Sequence, residues 1–161
     1  MRLKDKIAII VGGGQQPGET IGNGRATAIR FAEEGATVLL ADLDEASAKE
    51  TGEMLAEKGG KYSTVQADVT REEDCARIIE TCVDRYGRID VLHNNVGRSR
   101  GDKPTYDLDT EIWDELMDLN LKATFMTCKH ALKVMREQKG GAIINVSSTS
   151  SLNVSPTVTY K

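Results

Sequence analysis

The sequence has no apolar run near the roughly 18 residues that a membrane-spanning helix needs. Met1 to Lys6 lead through a short apolar stretch into glycines, without the architecture of a signal peptide. There is no basic excess either. Lys and Arg total 21 against 25 Asp and Glu, a net charge of −4, which leaves no electropositive face for a nucleic acid. Cysteine is scarce: Cys75, Cys82 and Cys128 are odd in number and form no C-x-x-C pair. Cys75 and Cys82 share one face of an expected helix and read as small buried hydrophobes, not as a disulfide or metal site. His93 and His130 stand at no metal-ligand spacing from them. These absences point to a reducing cytoplasm with no metal, membrane or nucleic-acid partner. Repeats, low-complexity tracts and linkers are also missing, so residues 1–161 are expected to form one domain. Charge is missing from the end: from residue 140 onward only Lys161 carries one. Chain ends are ordinarily polar and solvated, so this stretch is expected to be covered by further structure.

What is present alternates between two periods. Short apolar, β-branched runs predict strands at 7–11, 37–41, 62–67, 89–93 and 141–146. Between them, helical spacing predicts helices at 24–34, where Ala26, Ile29, Phe31 and Ala32 recur, at 44–58, from Thr70 onward, and at 110–138. Gly35 closes the first helix, and Thr70 with Glu73 fits a capping box at the start of the third. Regular alternation of this kind predicts an α/β fold: a doubly wound parallel sheet with helices on both faces, five strands being present.

The first strand runs into Gly12-Gly13-Gly14-Gln15-Gln16-Pro17-Gly18-Glu19-Thr20-Ile21-Gly22-Asn23-Gly24. Glycines between a strand and a helix allow close backbone approach to a phosphate, and the helix N-terminus offers unpaired N–H groups. The strict G-x-G-x-x-G spacing and the P-loop signature are both absent. Asp42 ends the second strand, where a carboxylate accepts hydrogen bonds from an adenosine ribose and repels a 2′-phosphate. No Arg or Lys at 43–48 offsets that repulsion, so the pattern favours NAD over NADP. The bland reading of Asp42 is a turn or helix-capping carboxylate.

The chain resembles the short-chain dehydrogenase/reductase family along nearly its whole length. Gly13, Gly22, Asn23 and Gly24 are similar to that family's cofactor loop, with Gly12 in place of its threonine and an insertion after Gly13. Asp68-Val69 resembles its adenine-contacting pair, and Asn94-Asn95-Val96-Gly97 its N-N-A-G motif. Asn120 matches its active-site Asn, Ser148 its catalytic Ser at the end of strand five, and Tyr160 its catalytic Tyr. Counting back from Tyr160 selects Ser147 instead; strand alignment favours Ser148. The resemblance implies a nicotinamide-dependent oxidoreductase acting on a small alcohol or ketone, built as a homodimer or homotetramer.

Two departures matter. A stretched phosphate loop also occurs among the enoyl reductases of this superfamily, although the Ser147-Ser148 pair favours the dehydrogenase branch. The family's Y-x-x-x-K also needs a lysine four residues beyond Tyr160, and the sequence ends at Lys161. Lys161 cannot substitute, since adjacent helical residues point about 100° apart. The chain is therefore expected to be the N-terminal portion of a longer fold, nearly inactive alone. An NAD-binding sensor without turnover is the alternative from another class. Trp113 with Ile112, Leu116 and Met117 reads as a core or helix-docking anchor. Leu121, Phe125, Met126, Cys128, Leu132 and Met135 form an apolar stripe for the core or for a subunit interface.

Overall fold

A computed structural model describes residues 1–149. Tyr160, Lys161, Ser150 and Ser151 lie outside the described residues. The elements in order are β1 (Ile7–Val11), α1 (Asn23–Glu33), β2 (Thr37–Asp42), α2 (Glu45–Glu57), β3 (Lys61–Gln66), α3 (Glu72–Tyr86) and β4 (Val91–Asn94). A 3-10 turn (Thr105–Asp107), α4 (Thr110–Met117), a π turn (Asp118–Lys122), α5 (Ala123–Glu137) and β5 (Ala142–Asn145) follow.

All strand pairs are parallel, in the order β3-β2-β1-β4-β5. This is the doubly wound sheet expected from the alternation, with its topological switch between β1 and β4. Side-chain alternation on β1, β2 and β4 feeds two cores. Ile9, Val11, Leu39, Ala41 and Leu92 pack with Ile78, Cys82, Met126 and Ala131 under α3 and α5. Ala8, Ile10, Val38, Leu40 and Val91 pack with Ala28, Ala48 and Leu55 under α1 and α2. Central strands buried on both faces explain why their sequence is continuously apolar instead of alternating. Each fully buried Ile or Leu contributes about 1.5–3 kcal/mol.

Two local expectations are corrected, and a third divides between its two readings. The capping box at Thr70 does not form: α3 starts after Arg71 without a side-chain cap. The Thr70 hydroxyl instead donates to Asp68 Oδ1 at 2.7 Å, and Glu73 accepts from Arg71 Nε at 2.8 Å. The helix across 110–138 is not uniform, because a π turn interrupts it at Asp118–Lys122 and the Ala123 N–H reaches back five residues to Asp118 O. The apolar stripe also divides. Met126 and Met135 enter the core, whereas Leu121, Phe125 and Leu132 are exposed, as is Trp113; of the expected Trp113 anchor group only Leu116 is fully buried.

Candidate active site

The C-terminal ends of β1, β2 and β4 meet at one edge of the sheet. The N–H groups of Gly12 and Gly13 donate to Ala41 O at 2.8 and 3.2 Å, and the Asn95 N–H donates to Val11 O at 3.0 Å. Asn95 Nδ2 reaches Gly12 O at 3.3 Å. The glycine turn that continues β1 is thus held between the end of β2 and the residue after β4.

Close approach explains the glycines. Gly12 lies at φ +83°, in the left-handed region that disfavours side chains. A Cβ on Gly24 would fall 1.8 Å from Gly12 O, so α1 can start against β1 only with a glycine there. Gly22 precedes α1 in an extended conformation, and no side chain caps the helix. That leaves first-turn N–H groups for an anion, and the glycine cradle admits a backbone-hugging diphosphate. The residues present therefore fit the dinucleotide expected from the sequence.

Asp42 is held from two sides. Its Oδ2 accepts from the Gly14 N–H at 2.8 Å and its Oδ1 from the Asp44 N–H at 3.1 Å. A carboxylate has about four acceptor sites, so two remain for the hydroxyls of a ribose. The turn role and the ligand role are compatible. Asp44 caps α2, accepting from the N–H groups of Ala46 and Ser47.

Asp68 uses Oδ1 to accept from both the N–H and the hydroxyl of Thr70, and its own N–H donates to Asp74 Oδ2 at 2.8 Å. Val69 and Val96 line one small crevice, with Val11, Asn94 and Thr127 also contributing. The structure therefore brings Val69 of the expected adenine-contacting pair together with Val96 of the Asn94–Gly97 motif.

Asn120 lies within the π turn. Its Nδ2 donates to Arg98 O and its Oδ1 accepts from the Arg98 N–H, each at 2.9 Å. This two-point clamp fixes the chain just beyond Gly97, and an added Cβ on Gly97 would lie 3.2 Å from Asn120 Oδ1. The side chain is thereby committed to positioning, leaving the main-chain carbonyl of Asn120 as its other polar group. That carbonyl accepts from the Thr124 hydroxyl at 3.4 Å. π turns recur at functional sites. Ser147 and Ser148 come shortly after β5, beyond Val146, whose N–H donates to Asn94 O. Tyr160 lies outside the described residues.

Several participants were missed in the sequence. Asn94 is buried, accepts from the Thr127 hydroxyl at 2.9 Å and donates to Asn145 Oδ1 at 2.9 Å, tying β4 to α5 and β5. Its place beside Asn95 in the motif was its available signal. Gln15 and Ser47 pair across the loop; no spacing rule marks them. Among the thiols, burial pushes Cys75 up to about 11 and Cys82 up to about 12, so both stay protonated and unreactive.

A doubly wound parallel sheet whose first strand runs through a close-packed glycine turn into an uncapped helix N-terminus is the architecture of a dinucleotide-binding α/β protein. The short chain dehydrogenase family profile matches residues 6–160. The chain belongs to this family of oxidoreductases, which use nicotinamide cofactors on small-molecule substrates. It is 38% identical over 151 residues to tropinone reductase-like 1 of Erythroxylum coca, covering 91% of this chain and 52% of that protein. A short-chain dehydrogenase/reductase from Burkholderia xenovorans superposes with a TM-score of 0.88 at 42% identity, covering 95% of this chain and 60% of that one. A 7α-hydroxysteroid dehydrogenase complexed with NADH and 7-oxo glycochenodeoxycholic acid superposes with a TM-score of 0.87 at 28% identity, covering 96% and 58%. The chain spans about half the length of the curated relatives it matches. No helix among the described residues is long and apolar enough to cross a membrane.

Proposed function

We propose that this chain forms one dinucleotide-binding domain of an NAD-dependent oxidoreductase acting between a secondary alcohol and its ketone. The observation that carries the reading is the Asp42 carboxylate, fixed by two backbone donors at the end of β2 beside an uncapped α1. Bound NAD would supply the hydride acceptor. Gly13, Gly22, Asn23 and Gly24 would hold its diphosphate, Asp42 its adenosine ribose, and Asp68 with Val69 its adenine. Asn95, Val96 and Gly97 would shape the nicotinamide end.

Proton transfer falls to Tyr160, with the Ser148 hydroxyl hydrogen-bonding the substrate oxygen and its developing charge. A tyrosine starts near pKa 10, so acting near pH 7 needs about 4 kcal/mol of differential stabilisation at 1.36 kcal/mol per unit. A lysine four residues after Tyr160 would supply it by favouring the phenolate; without that cation little turnover is expected. Asn120, its side chain clamped on Arg98, would offer its carbonyl to a water in the proton path. The exposed stripe of Leu121, Phe125 and Leu132 suits a homodimer or homotetramer interface, and the balanced charge suits a cytoplasmic protein.

Titration with NADH and NADPH by nicotinamide fluorescence, beside alcohol oxidation by a protein that also carries the lysine, tests the reading. Tighter binding of NADH with turnover is expected. Binding without turnover on any alcohol would assign a sensor instead, and absence of dinucleotide binding would sink both.

A further inference from the structure

The stretched glycine loop does more than wrap a diphosphate. We propose that Gln15 and Ser47 are cofactor-specificity residues: they latch the loop onto α2 and close the space beside Asp42 that a 2′-phosphate would need. The inference rests on the NAD reading and deepens it.

The latch is a two-point contact. The Gln15 N–H donates to Ser47 Oγ at 2.6 Å, and the Ser47 hydroxyl donates back to Gln15 O at 3.0 Å. A single serine side chain thus pairs with both backbone groups of one loop residue. The Gln15 side chain holds the loop to itself. Its Nε2 donates to Gln16 O at 2.8 Å and Thr20 O at 2.9 Å, and its Oε1 accepts from the Gly22 N–H at 2.6 Å. One residue therefore fixes the loop at both its α2 side and its α1 side.

The space enclosed is small. A Cβ added to Gly14 would lie 2.8 Å from Asp42 Oδ2 and 2.9 Å from Ser47 Oγ. Carboxylate, hydroxyl and loop backbone converge there without room for a methyl group, and a phosphate is larger. Nor does a cation on this side invite one. Arg25 is buried, donates from Nε to Thr51 Oγ1 at 2.9 Å, and pairs with Glu50 Oε2 at 2.7 Å. Its Nη2 also approaches Ser47 O at 3.5 Å, so the guanidinium braces the latch with its charge already matched. Exclusion of NADP would then have two layers, the charge of Asp42 and the closure of the loop. Asp42→Ala removes the charge and the carboxylate wall but leaves the Gln15–Ser47 contact standing.

Calorimetric Kd values for NAD and NADP, measured on wild type, Asp42→Ala and Asp42→Ala/Ser47→Ala chains, separate the layers. The double variant is expected to bind NADP about tenfold more tightly than Asp42→Ala does, a difference of about 1.4 kcal/mol. Asp42→Ala/Ser47→Thr, which retains the hydroxyl, is expected to stay at the Asp42→Ala value. Should the Ser47→Ala chain fail to fold, Asp42→Ala/Gln15→Gly loosens the loop from its own side without altering α2, by removing the side-chain bonds to Gln16, Thr20 and Gly22 that hold the latched conformation. If wild type prefers NAD and neither release variant gains NADP affinity over Asp42→Ala, the latch is overturned while the NAD reading stands. If wild type binds NADP as tightly as NAD, the underlying reading falls and the latch with it.

Discussion

The two sides of the switch point are built differently. On the β3-β2-β1 side, β2 is buried along its middle, and polar groups are satisfied by close partners: Gly14 with Asp42, Gln15 with Ser47, Arg25 with Thr51 and Glu50. On the β4–β5 side, β5 is largely exposed, and the coupling runs through two asparagines, Asn94 to Thr127 and Asn145, and Asn120 to Arg98. The β3-β2-β1 side is a packed surface with polar pins. The β4–β5 side is a thinner frame whose geometry depends on individual amide groups. Substitutions should therefore act through steric fit on one side and through hydrogen-bond satisfaction on the other.

The strongest break should come on the β3-β2-β1 side. Gly24→Ala places a methyl into Gly12 O, a backbone atom that cannot rotate away. A loss of about 3 kcal/mol, near the top of the overpacking range, is expected in chemical denaturation, with weaker dinucleotide binding. A stability within error of wild type would show that α1 shifts freely and that this side is not tightly built.

The corresponding break on the other side is Asn94→Ala. It strands Thr127 and Asn145 groups in or near the core and should cost about 1–2 kcal/mol. Because Gly12 to Gly14 do not depend on the Asn94 side chain, dinucleotide affinity is expected to fall less than in Gly24→Ala. Equal losses of affinity would erase the distinction between the two sides.

A smaller effect is read through pH. His93 is buried on β4, its Nδ1 lacks a hydrogen-bond partner, and burial holds it below the usual histidine value. Its folded pKa is thus below its unfolded one, near 6.5. Its stability contribution is complete above that pH and is lost as pH falls through it towards the folded value, because the unfolded chain takes up the proton first. His93→Val should flatten the stability profile from about pH 6.5 downward. A separate loss below about pH 4 should persist. There burial works against ionisation of Asp90, but the Ile7 N–H and Arg88 still hold its carboxyl below the ordinary range. An unchanged profile in His93→Val would rule out this titration.

The smallest effect is expected on the outer face of α5. Phe125 is 61% exposed, so Phe125→Gln should change the chain's own stability by no more than about 0.5 kcal/mol. A larger loss in dilute solution would mean that this face is already covered by a second copy.

Much of this organisation was legible in sequence. The five strands follow from apolar runs, and the glycine cradle with Asp42 follows from spacing relative to β1 and β2. Asn95 came from the resemblance of Asn94–Gly97 to a family motif, and the structure places it directly after β4. The Thr70 capping box failed because Asp68, two residues upstream, competed for the same hydroxyl, and local rules do not rank such rivals. The Gln15–Ser47 pair was invisible because its partners are 32 residues apart and joined only by folding. The clamp of Asn120 on Arg98 was hidden for the same reason.

That π turn has a consequence for how one helical path meets two surfaces. A π segment accommodates one more residue than regular helix over the same span, and each residue of an α-helix advances about 100°. Asp118–Lys122 therefore works as a phase correction between the α4 and α5 segments. Leu116 points into the core before it, and Met126, Thr127 and Ala131 do so after it. Deleting a single residue within the turn would restore an even helix and rotate the whole of α5 out of alignment with β4, separating Thr127 from Asn94 while every hydrophobic residue remained in the sequence. The inward face of α5 is thus set by a count of residues at Asn120, and the same irregularity that presents the asparagine keeps the helix beyond it in step with the sheet.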